Sequence, residues 1–208
     1  MSTPHGLPAL ILAGGVSRRM GRDKTQMLLG GKSLIVQVLE RLQAQADPVW
    51  LNAVSDYPLD LGIPNCPDTR PGRPGPLAGV LAGLKALERH GGDYTHLLTV
   101  PGDTPFLPLD LVERLSTKAS AGTVVLAASA GRTHPVVALW PRELAADLEA
   151  WLDDPSHRRV FDFIDRHPQA VVEFPMIETD IGLQDPFFNI NTPDDLAQAG
   201  ILLRKGMK

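Results

Sequence analysis

A chain of 208 residues with a 43% apolar and 21% charged composition is long enough to bury its own core and unlike a disordered chain. A net charge of −4, few aromatics and no basic tail argue against a nucleic-acid surface, and the lone Cys66 excludes an intramolecular disulfide or a multi-cysteine metal site. Apolar runs fall far short of the roughly 20 residues a membrane helix needs, and residues 1–8 lack a signal peptide's basic start and apolar stretch, so a soluble protein with a small-molecule partner is expected.

In chain order, LPALIL (7–12) reads as a buried strand running into Ala13, Gly14 and Gly15. Ser33 is placed to cap a helix on which Leu34, Ile35, Val38, Leu39 and Leu42 recur at helical spacing. PVWLNAV (48–54) reads as a second strand. Residues 57–76 are rich in Pro and Gly and predict a long loop, because Pro lacks a donor and Gly loses much entropy on ordering. Helical spacing resumes at Leu77, Val80, Leu81, Leu84 and Leu87, and HLLTV (96–100) is a third strand. A helix over 109–118, strands over 123–128 and 135–140, and a helix over 142–153 follow. Ser156 is expected to cap a helix running to Arg166; 171–174 is extended, and so is FFNIN (187–191). Thr192, Pro193 and Asp195 carry the marks of a helix start: cap, Pro at the first position, acid three residues after the cap.

Apolar runs alternating with amphipathic helices imply βαβ units, and hence an α/β, Rossmann-like three-layer fold with a mainly parallel sheet flanked by helices. One domain over 1–208 is expected, with a nucleotide-binding half at about 7–120 and an acceptor half at about 121–200. Ligands of such folds gather beyond the carboxyl ends of the strands, so the loops after the first three strands are expected to share one face.

The first of these loops is AGGVSRRMGRDK, residues 13–24. Gly14 and Gly15 let backbone N–H groups approach an anion with no Cβ in the way. Arg19 adds a forked donor and Lys24 a compact charge, both suited to phosphate oxygens, whereas Arg18 and Arg22 read as solvated. Neither the G-x-G-x-x-G of dinucleotide folds nor the Walker lysine motif is present, which disfavours a P-loop kinase or GTPase.

The third strand leads into PGDTP (101–105), where Asp103 offers a hard oxygen ligand for a divalent cation bridging nucleotide phosphates; the competing reading is a turn or helix cap. GPLAG (75–79) opens a helix with small residues. These either seat a flat base against the backbone or only let helix and sheet pack closely. Asn189 and Asn191 alternate with Phe188 and Ile190. They either hydrogen-bond a polar heterocycle or merely organise the turn before the capped helix.

The string LILAGGVSRRMGRDK (10–24) resembles the opening signature of the molybdenum cofactor guanylyltransferases within the nucleotidyltransferase superfamily. The resemblance extends in order through GPLAG, VPGDTPFLP and N-x-N-T-P, nearly the whole chain, and is thinnest over 54–65 and 141–185. It implies nucleotide contact at Leu12, Ala13, Gly14, Gly15, Lys24, Asn52, Asp68, Gly79 and Asp103, with Asp103 as the metal ligand and Arg19, Lys24 and Asp103 as the catalytic groups. It places Asn189, Asn191, His134 and Arg159 on the acceptor side. Composition would not have singled out Asn52 or Asp68, which alone read as an edge residue and a turn acid. His134 alone reads as a packed histidine, and the arginines 158 and 159 as a solvated helix face. One departure is Val54, where the family often has a second Asn.

The activity implied is transfer of GMP from GTP to the terminal phosphate of molybdopterin or molybdenum-molybdopterin, with Mg²⁺, or alternatively Mn²⁺, as cofactor. It further implies a cytoplasmic monomer that meets cofactor-assembly proteins and molybdoenzyme chaperones. The alternatives are a cytidylyltransferase or sugar-phosphate nucleotidyltransferase of the same superfamily, and a non-catalytic GTP-binding regulatory protein. Physics alone does not choose the base. The absence of a Ser–His or Cys–His constellation fits a reaction in which a substrate phosphate is the nucleophile.

Overall fold

The computed structural model describes residues 6–13, 24–69, 75–180 and 182–204. The first apolar run becomes β1 (Ala9–Leu12). A 3-10 turn (Lys24–Gln26) and a small hairpin, β2 (Leu28–Leu29) and β3 (Lys32–Ser33), lead into α1 (Leu34–Gln43). Next come β4 (Val49–Asn52), α2 (Pro76–His90), β5 (His96–Pro101) and α3 (Leu111–Ser116). The second half adds β6 (Val124–Ser129), β7 (Arg132–Pro141), α4 (Ala145–Trp151) and α5 (Val160–Ile164). It closes with β8 (Gln169–Phe174), the hairpin β9 (Ile177–Thr179) and β10 (Gly182–Gln184), and α6 (Pro193–Arg204).

Six strands form one sheet in the order β4-β1-β5-β7-β6-β8. β1 runs parallel to both β4 and β5, β6 runs parallel to β8, and β7 is antiparallel to both of its neighbours. The expected three-layer, mainly parallel architecture is therefore present, with β7 the reversed strand. The turn that reverses it, Ala130–Gly131, has φ of 49° and 73°, the left-handed pair that suits a tight hairpin.

Alternation along the strands feeds two cores. Ala9, Ile11, Leu98, Val100, Val125 and Leu139 pack against α1 and α3. Leu10, Leu97, Leu126 and Trp140 face the opposite layer of α2, α4 and α5. Gly83 is forced by that packing, since a Cβ there would lie 2.6 Å from Leu10 and 2.7 Å from Leu97. A satellite cluster of Leu29, Leu34, Phe106, Ile190, Ala199 and Leu202 holds α6 beneath the sheet's carboxyl edge. Among the described residues no helix is long and apolar enough to cross a membrane.

Two expected caps come out differently. Ser33 occupies the N-cap of α1, but its hydroxyl makes no capping bond; the hairpin orders the entry instead, with the Leu34 N–H donating to Met27 O at 3.0 Å. Ser156 caps nothing. Its hydroxyl and N–H both donate to Asp154 Oδ1, at 2.7 and 2.8 Å, and the short α5 starts only at Val160. The segment 187–191 is a turn and irregular chain rather than a strand.

Candidate active site

β1 lies between β4 and β5, so the chain leaves it to one side through α1 and returns over it through α2. This is the switch point at which an open α/β sheet leaves a crevice beyond its carboxyl ends. A cavity of about 270 Å³ occupies it. Leu12, Ala13, Asn52, Asp68 and Asp103 line it from the carboxyl ends of β1, β4 and β5 and the loops that follow them, which share one face as expected. Lys24, Thr25, Gly75, Pro76, Val136 and Asn189 complete the wall.

Asp103 sits in the turn that ends β5. Gly102 makes that turn feasible: a Cβ on it would come within 3.1 Å of the Thr25 methyl and 3.3 Å of Ile11. Asp103 is buried, its side chain 10% exposed. Its Oδ2 receives the Lys24 ammonium at 2.8 Å, while Oδ1 is buried without a hydrogen-bond partner among the described residues. The same ammonium donates to Asn191 Oδ1 at 2.7 Å. Lys24 thus ties Asp103, at the end of β5, to Asn191, just before α6.

The segment around Asn191 is held by its own hydrogen bonds. The Ile190 N–H donates to Asp103 O at 3.0 Å. Asp195 Oδ2 receives the N–H groups of Asn191 and Thr192 at 2.9 and 2.8 Å, and the Asp195 N–H donates to Thr192 Oγ1 at 3.1 Å. This is the reciprocal cap expected from the sequence. Burial raises the Asp195 carboxyl, but those N–H donors and the Thr192 hydroxyl outweigh it and leave the group below its ordinary range. Asn189 reaches the cavity wall, and its side-chain oxygen is buried without a partner among the described residues.

On the other side of the crevice, Asn52 spends both amide hydrogens, on Cys66 O and Asp68 Oδ1, each at 2.8 Å. Its oxygen faces α2 at Gly79, where a Cβ would come within 2.4 Å of it and 2.7 Å of Leu12. Gly79 therefore permits close helix–strand packing under Asn52 and is not among the residues that line the cavity. Gly75 and Pro76 do line it. Gly75 takes φ of 95°, a conformation that favours glycine, and Pro76 fills the first helical position.

His134 lies on β7 at the same carboxyl edge. Burial holds its imidazole below the usual histidine value, against the pull of Asp185. A register shift between Leu126 and Ala127 on β6 accommodates Pro135, which has no N–H to give, and brings Val136 into the cavity wall. Arg159 is exposed, with no hydrogen bond or ion pair to the described residues. The adjacent Arg158 carbonyl lies 3.9 Å from where a Cβ on Gly75 would be, which puts the pair near the crevice rim. Gly14, Gly15 and Arg19 lie outside the described residues.

Thr25 and Tyr57 were not anticipated; their hydroxyls are 2.6 Å apart and join the end of the first loop to the loop after β4. Ser129 and Asp185 were also missed, although an acid before Pro186 is a turn signal that could have marked Asp185. Among the described residues no group of three or more His, Cys, Asp or Glu side chains could hold a metal by itself. A cation at Asp103 would need oxygens from substrate and solvent, as Mg²⁺ commonly does.

The family described as the MobA-like NTP transferase domain matches residues 9–171. A molybdenum cofactor guanylyltransferase from Rhizobium meliloti is 51% identical over 195 residues, 92% of this chain and 89% of that protein. One from Rhizobium rhizogenes is 48% identical over 201 residues, 96% and 93% of the two chains. The crystal structure of molybdopterin-guanine dinucleotide biosynthesis protein A from Archaeoglobus fulgidus superposes with a TM-score of 0.71 at 25% identity, covering 96% of this chain and all of that one. The chain belongs to the molybdenum cofactor guanylyltransferases, within the MobA-like NTP transferase domain family.

Proposed function

We propose that this enzyme transfers GMP from GTP to the terminal phosphate of molybdopterin or its molybdenum form, releasing pyrophosphate. The observation that carries the reading is the buried Asp103, with one carboxylate oxygen on Lys24 and the other unpartnered at the switch-point cavity, in a chain 51% identical to a named guanylyltransferase. An acceptor phosphate oxygen attacks the α-phosphorus of GTP in line. A new P–O bond forms as the bond to the β-phosphate oxygen breaks, and pyrophosphate carries away the electron pair. The attacking oxygen is already deprotonated at neutral pH, so no protein base is needed.

The residues supply position and charge. Lys24 neutralises phosphate oxygens, and Arg19, outside the described residues, adds a forked donor from the glycine loop. Asp103 fits a divalent cation through its unpartnered Oδ1, and such an ion, Mg²⁺ in this reading, would neutralise charge on the triphosphate. Asp68, oriented by Asn52, offers the cavity a carboxylate acceptor suited to the donor edge of guanine. Asn189 and Asn191 serve the acceptor, with His134 and Arg159 on the same side. The chain works as one domain, a nucleotide half at 7–120 and an acceptor half at 121–200, acts as a cytoplasmic monomer, and hands its product on to molybdoenzyme chaperones. The test is molybdopterin-dependent pyrophosphate release with GTP, CTP and ATP compared. Release with GTP alone is expected; release with CTP would overturn the base assignment, and silence with all three the activity.

A further inference from the structure

A second polar cluster lies on the same carboxyl edge, between the ends of β6 and β7 and the segment that follows β10. Ser129, the last residue of β6, is wholly buried. Its hydroxyl donates to Asp185 Oδ1 at 2.7 Å and lies 2.7 Å from His134 Nε2. With the hydroxyl proton committed to the carboxylate, the serine oxygen accepts from His134, whose Nε2 therefore carries a proton. Asp185 Oδ1 also receives the Phe187 N–H at 2.8 Å. The Phe187 ring packs 4.7 Å from the His134 ring and meets Phe174, the last residue of β8, edge-on at 5.2 Å. Residues 185–187 are thus fastened to three strands of the sheet.

Two residues further on, Asn189 stands at the cavity with its side-chain oxygen buried and, among the described residues, unpartnered. Leaving an amide oxygen unpaired carries a free-energy penalty, so something must hold the segment in that orientation. The Ile190 N–H on Asp103 O and the Asp195 cap fix the far side of Asn189. The Ser129–Asp185 pair fixes the near side. Hydrogen bonds to a carboxylate are the stronger kind and geometrically selective, and here the serine donor is wholly buried.

We propose that Ser129 and Asp185 are positioning residues for the acceptor substrate, holding residues 185–191 so that Asn189 presents its amide to the molybdopterin side of the cavity. The proposal rests on the acceptor role assigned to Asn189 above and adds two residues that act through it. Its test is equilibrium binding to the full chain, with molybdopterin followed by fluorescence and magnesium–GTP by calorimetry. Asp185→Ala weakens molybdopterin binding about tenfold and leaves the GTP Kd within about twofold. Asp185→Asn retains an oxygen for both donors and recovers most of the loss, whereas a merely structural role predicts both ligands weakening together with a lowered Tm. If Asp185→Ala does not fold, Ser129→Ala, which loses the link between strand and turn, carries the same expectation. Unchanged molybdopterin binding, or parallel weakening of both ligands, overturns the proposal alone. A wild-type protein that binds GTP and not molybdopterin overturns the proposal together with the transferase reading.

Discussion

Asp103, at the cavity, and Gly79, packed behind its wall, act in different ways. Asp103 is buried, half-paired and at the cavity, so its removal takes away the group that would organise the triphosphate while disturbing little packing. Asp103→Ala is expected to lower pyrophosphate release by about 10²- to 10³-fold, the range for losing one preorganised electrostatic group. Its Tm should stay within a few degrees, and normal turnover would remove the metal assignment. Gly79 works through shape. A methyl there would meet Asn52 Oδ1 and Leu12 at sub-contact distance, so Gly79→Ala must shift Asn52 and with it Asp68. The expected result is a loss of about 1–3 kcal/mol in denaturant unfolding and a raised KM for GTP, with kcat less affected. A stability loss with unchanged GTP affinity would show that Asn52 and Asp68 do not contact the nucleotide.

At the scale of elements, α6 matters because its N-terminus carries Asn191 to Lys24. Thr192→Ala removes the cap on the Asp195 N–H and should cost about 0.5–2 kcal/mol. Each kcal/mol corresponds to about 2–4 °C in Tm for a chain of this size, readable by thermal denaturation. The Thr192 cap was legible because Pro193 and Asp195 support it. Ser156 looked similar, but Arg159 stands where the acid would be and Asp154 captures the hydroxyl first. Strands β1, β4 and β5 and helices α1 and α2 were legible because their apolar residues keep strict spacing over one face or two. The hairpin β2–β3 was not read, although Gly30 and Gly31, at φ of 59° and 88°, form its turn. Each arm is too short for periodicity to register. The reversal of β7 was also hidden, because its first residues, from Arg132, alternate weakly and sit beside a bulge. Nor does spacing bring Lys24 to Asp103 and Asn191, 79 and 167 residues away; only the closed fold does.

For the whole molecule, buried His96 and half-buried His134 contribute to how it responds to acid. His96 and His134 are both held below the ordinary value of 6.5, chiefly by burial. Between that value and the lower folded one, the unfolded chain binds more protons than the folded chain. Their contribution is therefore complete above about pH 6.5 and is lost as pH falls through the folded values. Tm measured from pH 7.5 down to pH 5 should fall, and His96→Gln should flatten the slope; an unchanged slope would show that His96 titrates normally. The claim that joins the fold to its chemistry is nucleotidyl transfer at the switch point, and following each phosphate of GTP tests it most directly. With the divalent cation and molybdopterin present, label in the α-phosphate should move to the acceptor while label in the γ-phosphate leaves as pyrophosphate. Label from the γ-phosphate on the acceptor, or release of both as free nucleotide and phosphate, would contradict it.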